Sequence, residues 1–141
     1  MPTFSNLGNF RLYCNAALER ALDVVSTKMC DELTKSIDSE FYQQYSPRRY
    51  KRTKQFLNSA FKTNVTFSGN EMSVEIGVDY DKLNYERIDG YSVVELASRG
   101  YHGLENDDLY ADGFFWQNFI DKYPASVIKQ MVIEEFKRQC K

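Results

Sequence analysis

The sequence predicts an α+β protein: a long N-terminal helix, a small antiparallel β-sheet built on a hairpin, and C-terminal helices packed on the sheet. Three observations carry this. Apolar residues recur at steps of three and four through the first third of the chain, at steps of two in the middle, and again at helical spacing at the end. With 141 residues, the chain can bury a core of its own without metals or disulfides, so residues 1–141 are expected to form a single domain.

The first helix is expected from Asn9 to about Gln44. Leu18, Leu22, Val25, Met29, Leu33, Ile37 and Phe41 follow the helical period with no proline or glycine between them. Asn6 or Asn9 is a suitable N-cap, and Ser46-Pro47 ends the helix because the residue before a proline is pushed out of the α region. About 35 residues at about 1.5 Å each would span about 50 Å, more than the width of a domain this size. Part of its apolar stripe is therefore expected to meet another subunit, unless the helix bends.

Thr53 can cap a short helical turn through Leu57. "FKTNVTF" and "MSVEIGVDY" then alternate around "SGNE", a hairpin pattern with glycine and asparagine in the turn. Val65 and Phe67 would share one face, with Met72, Val74, Ile76 and Val78 on the corresponding face of the second strand. Ser73, Glu75, Gly77 and Asp79 would point the other way. "YSVVELASRG" reads as a short helix ending at Gly100, and "YHGLENDDLYADG" as loop. From Phe114 onward the pattern is helical, with Pro124 starting a second helix or kinking one, and with Ile128, Met131, Val132 and Phe136 on its buried stripe. Leu22, Val25, Met29 and Val74 are expected in the subunit's own core.

Composition narrows the function. Eighteen basic against twenty acidic side chains leave a net charge of −2, which does not suit a whole-surface polyanion binder. Cys14, Cys30 and Cys140 are far apart and read as reduced, mostly buried thiols. The start lacks a secretory pattern and the apolar runs are short, so a soluble, unexported protein away from membranes is expected. His102 is the lone histidine, in a turn-like context without a partner at catalytic spacing. No phosphate-cradling glycine motif occurs, and the Asp79/Asp81 and Asp107/Asp108 pairs match no EF-hand loop. Neither catalytic residue, metal nor cofactor is expected.

One stretch departs from the near-neutral background. "YSPRRYKRTKQFLNSAF" places Arg48, Arg49, Lys51, Arg52 and Lys54 among tyrosines and phenylalanines. Such a run can contact phosphates and stack on bases, can be a solvated loop, or can meet an acidic neighbour as an interface.

The order of elements, together with Tyr45, Pro47, Tyr50, Arg52, Thr53 and Leu57 in a Tyr-x-Pro-x-x-Tyr-x-Arg-Thr pattern and Gly100, His102 and Gly103 downstream, resembles the gp-ten-like family of small neck and tail-completion proteins of long-tailed bacteriophages. Lys54 stands where many members carry glycine. The resemblance implies a non-enzymatic virion protein of the head-tail connection, present in the host cytoplasm during assembly. It further implies a homo-oligomeric ring of six or twelve copies between portal complex and tail tube, with neck, portal or tail-tube proteins as neighbours. Tyr45, Arg48, Arg49, Tyr50, Arg52, Thr53, His102 and Trp116 are the candidate interface residues. The acidic stretch Glu105 to Asp112 could complement the basic segment in a head-to-tail ring, and a lumen-facing patch could touch DNA without sequence preference. A tail terminator capping the tail tube and, in another class, a small nucleic-acid-binding module using residues 45–56 are the alternatives.

Overall fold

The computed structural model describes residues 2–39, 57–83 and 115–140, and its architecture is α+β. The expected end of the first helix, the Thr53 cap, the helix ending at Gly100 and the loop after it lie outside the described residues. The chain forms two compact units, one of residues 1–29, 62–76 and 123–141, the other of residues 30–61 and 77–122.

Helix α1, Leu7–Ile37, contributes to both. It starts at Leu7, two residues before Asn9, because Asn6 caps it: the Asn6 side-chain oxygen accepts from the Asn9 amide at 2.9 Å. Ala17, Ala21, Val25, Met29, Leu33 and Ile37 are buried, four residues apart throughout. At 3.6 residues per turn each such step rotates by about 40°, so the buried line winds around the helix. Its N-terminal half therefore runs through alanines, while Leu22 is only half-buried and corrects the expectation that it belongs to the core. Ser26 is buried on the same helix, and its hydroxyl is satisfied by donating to the Asp23 carbonyl at 3.0 Å.

In the first unit the N-terminal part of α1 is the element to which the others are tied. Arg11 donates to the Asn70 side chain in the hairpin turn, the Tyr13 hydroxyl to the Cys140 carbonyl, and Arg20 to Gln139. Lys62 pairs with Asp23 at 2.6 Å. Phe4 packs on Phe10 and Tyr13 with ring centroids 5.4 and 5.0 Å apart. Helix α3, Ala125–Gln139, belongs to this unit and begins at Pro124, whose carbonyl accepts from the Val127 and Ile128 amides. Proline thus starts a second helix rather than kinking one. Ile128, Met131, Val132 and Phe136 do form a stripe, but each is half-buried.

The hairpin is split into two ladders. Strands β2 (Thr66–Ser68) and β3 (Glu71–Ser73) pair in the register Thr66↔Ser73, Phe67↔Met72, Ser68↔Glu71. Gly69, at φ 61°, opens the two-residue turn, a left-handed conformation that favours glycine. Strands β1 (Ala60–Lys62) and β4 (Ile76–Val78) form the second pair. Its flanking bonds run from the Thr63 amide to the Glu75 carbonyl and from the Asp79 amide to the Ser59 carbonyl, an antiparallel arrangement.

Between Thr66↔Ser73 and Thr63–Glu75, the first strand advances by three residues and the second by two. The extra residue makes a bulge at Asn64–Val65 opposite Val74. Thr63 accommodates it by accepting the Glu75 amide on its side-chain hydroxyl at 2.9 Å. Val74 is accordingly half-buried rather than in the core. Farther along, in the second unit, the Phe61 ring covers Gly77, with a ring carbon 3.2 Å from where a Cβ would sit. The three cysteines are thiols, not disulfides, and are half-buried.

Val25 is 6% exposed. Val25→Asp is expected to cost several kcal/mol by burying an unpaired carboxylate, and a thermal melt matching the wild type would show that the side chain is not enclosed.

Candidate functional site

In the second unit, helix α2 (Phe115–Lys122) carries an aromatic surface. Phe115 and Phe119, four apart, are buried, and Trp116 and Ile120, also four apart, are exposed on the adjoining flank. Trp116 remains 37% exposed while stacking on Phe119, centroids 5.9 Å apart and planes at 29°, and meeting Phe115 edge to face, centroids 6.1 Å apart. The ring is thus held in a fixed direction by its own helix.

Contacts at both of its ends hold α2 to the end of α1. The Ser36 hydroxyl donates to the Phe115 carbonyl at 2.7 Å, and Lys122 reaches Glu32 at 2.5 Å, so both ends of the short helix are fastened. Lys35 also pairs with Glu32, at 3.2 Å. The hydrogen bond from Lys122, with that from Lys35, holds the Glu32 carboxyl below the usual carboxylate range against the opposing effect of burial.

Trp116 is the one candidate interface residue among those described. Tyr45, Arg48, Arg49, Tyr50, Arg52, Thr53 and His102 lie outside the described residues, as does the acidic stretch Glu105 to Asp112. Within the first unit there is a feature that sequence reading missed, an open groove of about 620 Å³ lined by Glu19, Asp23, Val24, Asn64, Val65 and their neighbours. Asp23 is occupied by Lys62 there, and Arg20 by Gln139. Glu19 and Asp23 are spaced to share a helix face, but the groove's other wall is the bulge, which leaves no residue pattern of its own. Among the described residues no group of three or more His, Cys, Asp or Glu could hold a metal ion. No described helix is long and apolar enough to cross a membrane.

These features define a small α+β protein with a rigidly presented Trp-Ile flank. The YomN family model matches residues 8–140, nearly the whole chain, and the chain belongs to the YomN family. No curated protein and no solved structure matches it.

The Glu32–Lys122 pair gives a pH prediction. Because the folded pKa is depressed, its stabilisation is full above the unfolded carboxylate value of about 4.3 and disappears as pH falls through the lower folded value. Glu32→Gln should flatten the acid limb of a stability-against-pH curve. At neutral pH it should cost less than about 1 kcal/mol, since Lys122 is 61% exposed. Identical acid limbs for the two proteins would refute the assignment.

Proposed function

We propose that this protein is a non-enzymatic structural component of a phage virion, working in the head-tail connection as a homo-oligomeric ring between portal complex and tail tube. The observation that carries self-association or docking is the Trp116–Ile120 flank. A tryptophan fixed by stacking loses little side-chain entropy on binding, and tryptophan is enriched among residues that dominate interface energies. Leu7 and Leu12, 80% and 69% exposed near the start of α1, add apolar surface on the element whose length suggested contact with a neighbouring subunit. The choice of a neck ring over other assemblies rests on the resemblance carried by Tyr45, Pro47, Tyr50, Arg52, Thr53 and the Gly100–Gly103 element. A tail terminator would use the same surfaces.

Cryo-electron microscopy of virions or head-tail complexes containing the protein tests this directly. A ring of its density at the neck is the expected result, and density capping the tail tube would assign the terminator role. Absence from both, with retention on single-stranded DNA that falls steeply with salt, would transfer residues 45–56 to nucleic-acid binding.

Tyr50→Ala and Arg52→Ala are expected to weaken assembly while leaving circular dichroism unchanged, because both sit in the segment assigned to an interface. Trp116→Ala should cost more than about 1 kcal/mol of association free energy if the flank is a hot spot. Unaltered assembly of all three folded variants would eliminate these surfaces as interfaces.

A further inference from the structure

The hairpin tip is a two-stranded ribbon whose two sides carry no further strand among the described residues. Its strands are three residues each, every residue of β2 is exposed, and Phe67 is 55% exposed. A ribbon this small is marginal in water without a third strand or a packed face. The two-residue turn makes Ser68↔Glu71 and Thr66↔Ser73 the hydrogen-bonded pairs, so the N–H and C=O of Phe67 and Met72 point away from one another, out of the two edges. Neither edge pairs with another strand among the described residues.

Of the usual protections of an edge, the tip has short strands and one charge but neither lysine nor proline. Thr66–Ser68 and Glu71–Ser73 contain no lysine and no proline, Glu71 beside the turn is their one charge, and the bulge lies at the base of the ribbon.

We infer that the hairpin tip is a head-to-tail joint between copies of this chain, in which the β3 edge of one copy pairs with the β2 edge of the next. The two edges fit each other. Placing a second ribbon beside the first in the same orientation sets an ascending β2 next to a descending β3, so the new pair is antiparallel. Met72 then faces Phe67 of the next copy, and each donates its amide to the other's carbonyl. Phe67 and Met72 project on one face, so the pairing also extends a single apolar row from copy to copy. The contact uses different surfaces on the two partners, which is the interface type that closes into rings. This deepens the proposed function and rests on its self-assembly, by naming the joint.

The test uses two full-length variants. Phe67→Pro removes the amide from the β2 edge and Met72→Pro removes it from the β3 edge, at positions where the N–H faces away from the ribbon's own ladder. In sedimentation velocity the wild type is expected to form a multi-subunit species, each variant alone to sediment as a monomer, and their equimolar mixture to stop at the dimer, because each supplies the edge that the other lacks. A variant that dimerises alone overturns the head-to-tail order, and a mixture that stays monomeric overturns the pairing. Amide hydrogen exchange on the wild type gives a readout that needs no variant: Phe67 and Met72 amides should become protected as the oligomer forms. Oligomers in which both amides exchange freely, or that persist in both variants, overturn the edge pairing and leave a ring built through other surfaces standing. A wild type that remains monomeric at all concentrations overturns the joint, while failure of the head-tail reading is registered separately by the imaging of virions.

Discussion

The winding line of buried side chains on α1 is the constraint on which the described structure depends. Six positions spaced by four cannot all face one direction on a 3.6-residue helix. One helix contributes to two units, with its N-terminal part anchoring the turn, strand and C-terminal helix of the first, and its last turns anchoring α2 in the second. Ala17 and Ala21 are the fully buried positions of the line in the first unit, and the larger Leu33 and Ile37 those in the second.

The bulge at Asn64–Val65 is the second organising feature. A one-residue slip exchanges the two faces of a strand, and here the slip is confined to three residues by the Thr63 hydroxyl, which replaces a lost ladder bond. Phe61 lies over Gly77 in the second unit, and Phe67 at the tip of the first is exposed. The hairpin thus has a base that is partly enclosed and a tip that is not.

These two features bear on assembly in the same way. Both leave apolar or hydrogen-bonding capacity at defined positions, at the two edges of the tip and at Trp116 with Ile120, the latter on a short helix fastened at both ends. Surfaces of that kind bind with little loss of conformational entropy. The ion pairs that tie them are largely exposed, so their value lies in direction more than in stability.

The α+β class, the long first helix and the glycine-led hairpin turn were legible in the sequence, because each rests on local chemistry, period and φ tolerance; the cap was legible only as Asn6 or Asn9, and Pro124 only as a helix start or a kink, and the structure chose Asn6 and the start. Trp116 was legible as a candidate, being the one tryptophan in an aromatic helix. What only the tertiary structure decided is which side of each pattern is covered. Leu22 and Ala21 are both compatible with a helical stripe, and the fold buries the alanine while leaving the leucine half-buried. Val74 sits in a regular alternation, and a bulge on the opposite strand, which has no residue signature, took it out of the core. The groove beside Asp23 is likewise a product of packing between segments distant in sequence, and no local pattern specifies it.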